Sequence, residues 1–263
     1  MTDPTADLVA IQRTGGVATL RLQRPKALNA LGPEMLAALD RALDEVESDE
    51  AVRSVVITGS GERAFSAGAD ITAMAAMGPV EGHDYSRLGH AVLGRLDDLR
   101  VPAVAAVNGV ALGGGLELAL ACDLIVAAER ARLGLPEITL GLIPGFGGTQ
   151  RLVRRCGLAR ARELVYLGTM VGAAEGLRLG IVDRVVPDDR LADEAAALAG
   201  ELATRAPVAL RQAKRATRAA AETDLAAGLR YEVEAFATVF ATEDRVEGLR
   251  AFLDKRPPRW TGR

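Results

Sequence analysis

The chain has 263 residues, with 32 Lys and Arg against 35 Asp and Glu and a formal net charge of −3. This length supports one large domain or a domain with an appendage, and a hydrophobic content of 49% is sufficient for a substantial core. Because the charges nearly balance, no basic field predicts binding to nucleic acid or to an anionic membrane surface, and we expect neither as a partner.

The first predicted elements are strands that alternate with helices. Residues 17–23 alternate apolar and polar side chains, while 52–59 and 101–109 are typical of short buried strands that end at glycine. Residues 32–49 place their apolar side chains on one helical face, and residues 122–129 predict another strand. This alternation indicates an α/β fold.

A helical C-terminal region is predicted after about residue 188, where the chain becomes rich in Ala, Leu, Arg and Glu. The predicted helices cover 188–206, 207–222 and 223–240. We therefore divide the chain into a core over 1–190 and a helical C-terminal region over 191–263. One face of the second helix is basic, which suits a phosphate or RNA but is more typical of a solvated or subunit-facing surface. Its residues are Arg211, Lys214, Arg215 and Arg218.

No targeting or membrane segment is predicted. The first ten residues, MTDPTADLVA, have no cationic start and no apolar stretch, so we expect a cytoplasmic protein. The longest uncharged run, 101–116, has 16 residues and contains four glycines. A membrane helix needs about 20 apolar residues, so we expect no span.

Two cysteines and two histidines offer little metal or nucleophile chemistry. Cys122 and Cys156 form no C-x-x-C pair, and we expect both to be reduced. His83 and His90 lie seven residues apart in a polar stretch, which is not the pattern of a zinc site or of a Ser–His pair. The sequence therefore predicts no metal centre.

Glycines are concentrated in the middle of the chain, with nine of the 28 between residues 109 and 148. Neither a P-loop nor a complete G-x-G-x-x-G occurs there, which disfavours a nucleotide loop. Glycines at a strand-to-helix turn also expose backbone N–H groups, here around Gly114, at the positive end of a helix. A second small-residue turn, AFSAGADI, offers the amide of Ala69. The two turns either bind an oxyanion together or are ordinary glycine turns.

Two glutamates stand in apolar surroundings. Glu117 is flanked by leucines in the first turn of an apolar helix, and Glu137 lies in LGLPEITLG. A carboxylate placed there faces either a polar cavity or a paired cation. Burial raises the pKa of a carboxyl group, which lets it act as an acid or a base near neutral pH. Two such groups beside one oxyanion site would suit proton transfer next to a carbonyl.

Five motifs, taken together, resemble those of one family. They are RPKALNAL at 24–31, AFSAGADI at 64–71, AAVNGVALGGGLELALACD from 105, LPEITLGLIPGFGGTQRL from 135 and FATEDRVEGLRAFLDKRPP from 240. Their order and spacing cover nearly the whole chain and resemble the crotonases, the enoyl-CoA hydratase/isomerase family. The resemblance implies an α/β crotonase fold, a spiral of stacked ββα units followed by C-terminal helices that build a trimer, usually paired into a hexamer.

The resemblance also implies an activity. Enoyl-CoA hydratases add water reversibly, with syn geometry, to a trans-2-enoyl-CoA and give a 3-hydroxyacyl-CoA in fatty-acid or related acyl-CoA degradation. Family isomerases commonly keep only one of the two acids, whereas this chain has both Glu117 and Glu137. The alternatives are another crotonase reaction, such as isomerisation, hydrolysis or carbon–carbon cleavage, and a non-catalytic acyl-CoA-binding protein.

The roles of the catalytic positions follow from the matching motifs. The amides of Ala69 and Gly114 would hold the thioester oxygen. Glu117 would help to activate the water that attacks C3, and Glu137 would exchange the proton at C2. The amide of Gly145 would help to orient the water. No metal or redox cofactor is implied, because coenzyme A arrives as part of the substrate.

Coenzyme A would contact two N-terminal segments and the C-terminal region. The matching residues are Lys26, Ala27, Leu28, Ala67, Asp70, Ile71, Phe236, Phe252 and Lys255. The last three often reach coenzyme A from a neighbouring subunit, and from the sequence alone Lys255 is equally well a solvated lysine. The segment 72–90 matches the family weakly and would set the acyl-chain length. Met74 and Met77 in it would line the acyl pocket or simply pack in a helix.

Overall fold

The computed structural model describes residues 8–263, and the strands of this part of the chain form two sheets. In chain order the strands are β1 (Val9–Thr14), β2 (Val17–Leu22), β3 (Ser54–Gly59), β4 (Ala64–Ser66), β5 (Ala103–Val107), β6 (Val110–Leu112), β7 (Leu124–Ala128), β8 (Arg132–Gly134), β9 (Met170–Gly172) and β10 (Arg184–Val186). The larger sheet has the order β1-β2-β3-β5-β7-β10, and the smaller has the order β4-β6-β8-β9. Residues 1–7, on which the expectation of no targeting signal largely rests, lie outside the described residues.

The α-helices of the same part of the chain lie between and after the strands. They are α1 (Pro33–Ser48), α2 (Ile71–Met74), α3 (Pro79–Asp98), α4 (Gly114–Ala121), α5 (Gly148–Leu167), α6 (Ala173–Arg178), α7 (Leu191–Ala203), α8 (Pro207–Glu222), α9 (Leu225–Phe240) and α10 (Glu243–Leu253). The predicted strands at 17–23, 52–59, 101–109 and 122–129 correspond to β2, β3, β5 and β7, and the predicted helices to α1, α7, α8 and α9. These elements are confirmed, and most are shorter than predicted at their ends.

The larger sheet is mostly parallel. Only β1 and β2 pair as an antiparallel hairpin, whose turn is made by Gly15 and Gly16 with φ of 57° and 83°. From β2 onward each strand pairs in parallel with its neighbour. All residues of β3 and β5 are buried, because helices cover both faces of the sheet. Burial on both faces explains why the sequences of these strands are nearly continuous apolar runs.

Two hydrophobic clusters lie on opposite faces of the larger sheet. The main core contains Ile57 from β3 with Leu39 of α1, and it continues to α3 and α4. On the other face, Val104 and Val126 pack with Leu198 of α7. Thus α7 begins one residue after the predicted division at 190, yet it completes the core of the sheet. The division into two regions stays a prediction.

A repeated strand–strand–helix unit connects the two sheets. The chain passes from a strand of the larger sheet to a strand of the smaller sheet and then into a helix, as β3–β4–α2/α3, β5–β6–α4 and β7–β8–α5. The strands of successive units pair in parallel in both sheets. Consequently the turns that follow β4, β6 and β8 leave the smaller sheet at the same edge.

The basic face of α8 is not simply solvated. The side chain of Lys214 is 8% exposed, and its ammonium pairs with Asp123 Oδ2 at 2.9 Å and donates to the Leu96 carbonyl at 2.7 Å. Arg218 pairs with Asp98 at 2.8 Å. The solvated interpretation is therefore wrong for Lys214, because the carboxylate and carbonyls that it joins belong to the core.

Within residues 8–263, no helix combines the length and apolar character needed to cross a bilayer. In that same part of the chain, no group of three or more His, Cys, Asp or Glu side chains is placed to hold a metal ion. Cys122 and Cys156 are both free thiols.

Replacing Lys214 with Met is expected to lower the free energy of unfolding by roughly 2–4 kcal/mol, because the partly buried Asp123 carboxylate loses its cation. Thermal unfolding measures this change. Arg215→Met is the matched control, since Arg215 is exposed on the same helix and should change stability by no more than about 0.5 kcal/mol. Equal losses in the two variants would contradict a specific role for the Lys214–Asp123 pair.

Candidate active site

Three turns meet at the edge of the smaller sheet. Ser66 of β4 lies opposite Ala111 of β6, and Leu112 of β6 lies opposite Gly134 of β8. Because these strands are parallel, their carboxyl ends adjoin, and the residues that follow them come together. The turn after β4 carries Ala69, the turn after β6 carries Gly114, and a 3-10 turn after β8, Pro136–Leu140, carries Glu137.

The first two turns pack backbone against backbone. Gly68 has a φ of 101°, and a Cβ there would lie 2.6 Å from the Leu112 carbonyl oxygen and 3.2 Å from the Gly114 nitrogen. A Cβ on Gly114 would lie 3.3 Å from the Ala69 nitrogen. Larger residues at these glycines would separate the turns. The approach of the two amides predicted from the sequence is therefore present in the structure.

Both amides are free to bind a ligand. Across residues 8–263, no protein atom accepts a hydrogen bond from the amide of Ala69 or of Gly114. Gly114 is also the first residue of the eight-residue helix α4, whose N-terminus carries partial positive charge. Two unpaired amides next to a helix N-terminus can donate hydrogen bonds to an oxygen atom that gains negative charge.

Glu117 is buried in the first turn of α4, with 1% of its surface exposed. Its Oε1 accepts the amide of Phe146 at 2.8 Å and the amide of Gly148 at 2.6 Å. Burial raises the pKa of Glu117, and these amides oppose the rise. Of the two interpretations left open by the sequence, a cation in direct contact is not what the structure shows: backbone amides hold this carboxylate.

Glu137 lies on the other side of the Gly113 turn. A Cβ on Gly113 would be 2.9 Å from Glu137 Oε1, and its backbone, with a φ of 51° and a ψ of −127°, favours glycine. Oε2 of Glu137 is buried, and nothing in the described chain forms a hydrogen bond with it. Burial raises the pKa of Glu137 to about 7, and the charge of Glu117 adds to the rise. The Glu137 carboxyl therefore exchanges its proton near neutral pH and not in the usual acidic range of a glutamate.

The loop that carries Gly145 is held by contacts with α3. The Ser86 hydroxyl donates to the Gly145 carbonyl at 2.6 Å, and the Gly145 amide is one of the groups that lower the pKa of Glu117. The ring of Phe146 meets the ring of Tyr85 edge to face, with 5.2 Å between centroids. A Cβ on Gly89 would lie 2.1 Å from the Phe146 ring. Gly145 thus lies next to Glu117, and its role in orienting the water stays a prediction.

Tyr85 and Ser86 are site-supporting residues that sequence reasoning missed. The Tyr85 hydroxyl donates to the Leu31 carbonyl and accepts the Asp70 amide at 3.4 Å, so it ties the Ala69 turn to the rest of the core. Burial raises the pKa of Tyr85 to about 12, which keeps the phenol neutral. Both residues lie in the weakly matched segment 72–90. The only available signal was their helical spacing from Gly89, which faces Phe146.

The two N-terminal segments predicted to bind coenzyme A lie side by side. The amide of Ala67 donates to the carbonyl of Leu28 at 2.9 Å, and Asp70 pairs with Arg24 at 2.6 Å. The residues predicted for this rim are the exposed Lys26 and Ile71 and the half-buried Ala27, Leu28, Ala67 and Asp70. Met74, at the end of α2, packs against the main core as expected of ordinary helix packing, and Met77 packs against the same core from the loop before α3.

The C-terminal residues predicted to bind coenzyme A are placed differently. Phe236 and Phe252 are 66% and 81% exposed, and Lys255 follows α10 with a φ of 54°. Within the described chain, no hydrogen bond or ion pair joins α9 or α10 to the three catalytic turns. Within a single chain, the described residues thus show no polar contact between these three residues and the site.

Comparison with known proteins gives consistent results. Residues 12–263 match the family described as enoyl-CoA hydratase/isomerase. The chain is 43% identical to the short-chain-enoyl-CoA hydratase of Clostridium acetobutylicum over 94% of its own length and 95% of that protein. It is 40% identical to the crotonyl-CoA hydratase of Syntrophomonas wolfei over the same shares. The crystal structure of enoyl-CoA hydratase from Bacillus anthracis is similar with a TM-score of 0.94 at 40% identity, covering 97% of this chain and all of that one.

Replacing Glu137 with Gln is expected to stabilise the protein at about pH 8 and not at about pH 4. The folded carboxyl has a raised pKa, so it stays protonated between 4.5 and about 7 while the unfolded one ionises. Stability is therefore lost as the pH rises through this window, and the variant avoids that loss. We expect a gain of about 1–2 kcal/mol at pH 8, after allowance for partial exposure.

Thermal unfolding of both proteins at the two pH values measures the effect of Glu137→Gln. Glu62→Gln, at an exposed position, is the control and should show no pH-dependent difference. A gain that is the same at both pH values would contradict the buried, protonated state of Glu137.

Proposed function

The chain belongs to the enoyl-CoA hydratase/isomerase family, and on that premise we propose that it is an enoyl-CoA hydratase. The predicted α/β crotonase fold is confirmed by the likeness to solved hydratase structures. The proposed reaction is the reversible addition of water to a trans-2-enoyl-CoA, which gives a 3-hydroxyacyl-CoA. The relatives named short-chain-enoyl-CoA hydratase and crotonyl-CoA hydratase support a short acyl chain.

The observation that carries this proposal is that the buried carboxyl group of Glu117 and the partly buried one of Glu137 lie with two free amides at one edge of a sheet. Attack of water at C3 pushes negative charge onto the thioester oxygen. In the proposal, the amides of Ala69 and Gly114 donate hydrogen bonds to that oxygen, and their close approach at the N-terminus of α4 supports this role. Loss of one such donor typically costs about 3 kcal/mol in the barrier, so the two turns would account for a large part of the catalysis.

The two carboxyl groups supply the proton transfers of hydration. Glu117 uses Oε1 to accept two backbone amides, which leaves Oε2 for the water. In the proposal, ionised Glu117 takes a proton as the water oxygen bonds to C3, and protonated Glu137 gives its proton to C2. The reverse reaction exchanges these roles. Since a singly protonated pair is competent in both directions, the raised pKa of Glu137 suits the reaction.

The remaining site assignments are part of the same proposal. The Gly145 amide helps to orient the water beside Glu117. Coenzyme A lies along the rim formed by Lys26, Ala27, Leu28, Ala67, Asp70 and Ile71. We propose that no metal or redox cofactor takes part, because water addition transfers no electrons and the proton carriers are carboxyl groups. A cytoplasmic location fits the bacterial relatives.

Assembly into a trimer, or a dimer of trimers, is proposed from the surface of α9 and α10. Large apolar side chains on these helices are exposed, among them Leu225, Val233, Phe236, Phe252 and Leu253. Exposed large apolar side chains in such number on neighbouring helices are typical of an interaction site. In such an assembly, Phe236, Phe252 and Lys255 of one subunit would reach the coenzyme A that a neighbouring subunit binds.

Rival functions within the family are disfavoured by the site itself. Double-bond migration moves one proton between two carbons and needs one acid, whereas this site keeps two with a raised pKa. A non-catalytic acyl-CoA-binding protein has no use for a buried carboxyl oxygen without a partner, which costs stability. Isomerase, hydrolase and lyase assays on matched acyl-CoAs distinguish these alternatives.

The assay that tests the proposal follows loss of the conjugated enoyl-thioester absorbance of crotonyl-CoA. We expect turnover by the wild type and a loss of about 10²–10⁴-fold in kcat for Glu117→Gln and for Glu137→Gln, because each removes one proton carrier. Glu163→Gln, exposed on α5, is the matched control and should keep the wild-type rate. No turnover of short, medium or long enoyl-CoAs by the wild type would sink the proposal.

A bell-shaped pH profile of kcat/KM is the second expected result. The rate should fall above about pH 7, as the pair loses the proton that Glu137 holds, and again in acid, as the pair takes up a second proton. Initial rates with crotonyl-CoA from about pH 5 to pH 9 measure both limbs. A rate that stays level from neutral to alkaline pH would contradict the proposal that Glu137 must be protonated for hydration.

A further inference from the structure

Arg151, in the first turn of α5, lies behind the loop that holds Glu117. Its Nη1 donates to the carbonyl of Phe146 at 3.0 Å, and its Nη2 pairs with Asp97 of α3 at 2.5 Å. Both side chains are largely buried. The guanidinium does not reach the three catalytic turns, so its effect on the site would pass through other groups.

The hydrogen bonds of Arg151 and Glu117 converge on the same residue. The amide of Phe146 donates a hydrogen bond to Glu117 Oε1 at 2.8 Å, and the carbonyl of Phe146 accepts one from Arg151 Nη1. Gly147 follows with a φ of 108°, and a Cβ there would lie 2.3 Å from Arg151 Nη1. The glycine therefore leaves the space that the guanidinium fills. The turn is held from both sides, by a cation outside and a carboxylate inside.

The groups around Glu117 differ in charge, and Arg151 is the cation whose charge acts on the pKa of this carboxyl. Glu137 faces it from the 3-10 turn and is acidic, while Tyr85 faces it from α3 and is a neutral phenol. From α5, the charge of Arg151 lowers the pKa of Glu117 against the effect of burial. Asp97 partly offsets that charge. On the solvent side is a cavity of about 230 Å³, whose charged and titratable lining residues are His90, Asp97, Arg151, Arg154, Arg218 and Glu222.

We propose that Arg151 is a positioning residue of the active site: it fixes the backbone turn whose amides hold Glu117 and supplies the positive charge that balances this buried carboxylate. In its absence the turn loses its outer anchor, and Glu117 keeps its proton to higher pH. As a deeper account of the same site, the effect on turnover rests on the proposed hydratase function. The effect on the ionisation of Glu117 does not.

The experiment compares Arg151→Gln, Arg151→Lys and Arg155→Gln. Arg155 is the matched control, because it lies one turn further along α5 and its guanidinium also pairs with an aspartate, Asp183, at 2.9 Å. For Arg151→Gln we expect the acidic limb of kcat/KM with crotonyl-CoA to move up by about one pH unit. In Arg151→Lys, the retained positive charge should return the acidic limb close to its wild-type pH. The variant should recover less of kcat, since lysine lacks the planar guanidinium that bonds the Phe146 carbonyl and Asp97 at the same time. Arg155→Gln should leave the profile in place.

A second readout does not depend on turnover. Infrared difference spectra between each protein and its own Glu117→Gln counterpart isolate the carboxyl band of Glu117, and its titration midpoint is expected at higher pH in Arg151→Gln than in the wild type. If the wild type is inactive, the proposed function fails while this titration still decides the role of Arg151. An unchanged midpoint and an unchanged acidic limb in Arg151→Gln would overturn the inference. An equal shift in Arg155→Gln would overturn it as well, because it would indicate general loosening of α5.

Discussion

The register of β4, β6 and β8 is the constraint on which the rest of the site depends. Parallel pairing brings the ends of three short strands to one edge of the smaller sheet, so that three separate turns share one small volume. Ala69, Gly114 and Glu137 each leave the sheet from one of these ends. A shift of one residue in any strand would turn its side chains to the other face and remove its turn from the site. The larger sheet and its helices serve to hold this register rigidly.

Glycine makes the close approach possible, and its use is local. Gly68 and Gly113 adopt left-handed or related conformations and stand within contact distance of the neighbouring turn or of the Glu137 carboxyl. The site in turn carries the buried carboxyl group of Glu117 and the partly buried one of Glu137, which is unfavourable for folding. Backbone amides from the Phe146 loop offset part of this cost at Glu117, whereas Glu137 Oε2 keeps no partner in the described chain. Stability is thus given up at the position that we propose as a proton donor.

The long elements and the two glutamates could be predicted from the sequence because their signals are local. Apolar runs predict β3 and β5, and apolar spacing predicts α1. A glutamate between leucines indicates a polar cavity or a cation, and Glu117 does face backbone amides within the core. The three-residue strands of the smaller sheet are too short to give a pattern. The roles of Lys214, Tyr85 and Arg151 depend on partners that are distant in sequence, and no single-sequence pattern reveals such contacts.

The most direct measurement of the central claim is a crystal structure of Glu137→Gln soaked with crotonyl-CoA. The account predicts the thioester oxygen within about 3.2 Å of both the Ala69 and the Gly114 nitrogens, with C2 facing residue 137 and C3 facing Glu117. A thioester oxygen bound by one amide or by neither, or an acyl chain that points away from the two acidic positions, would contradict it.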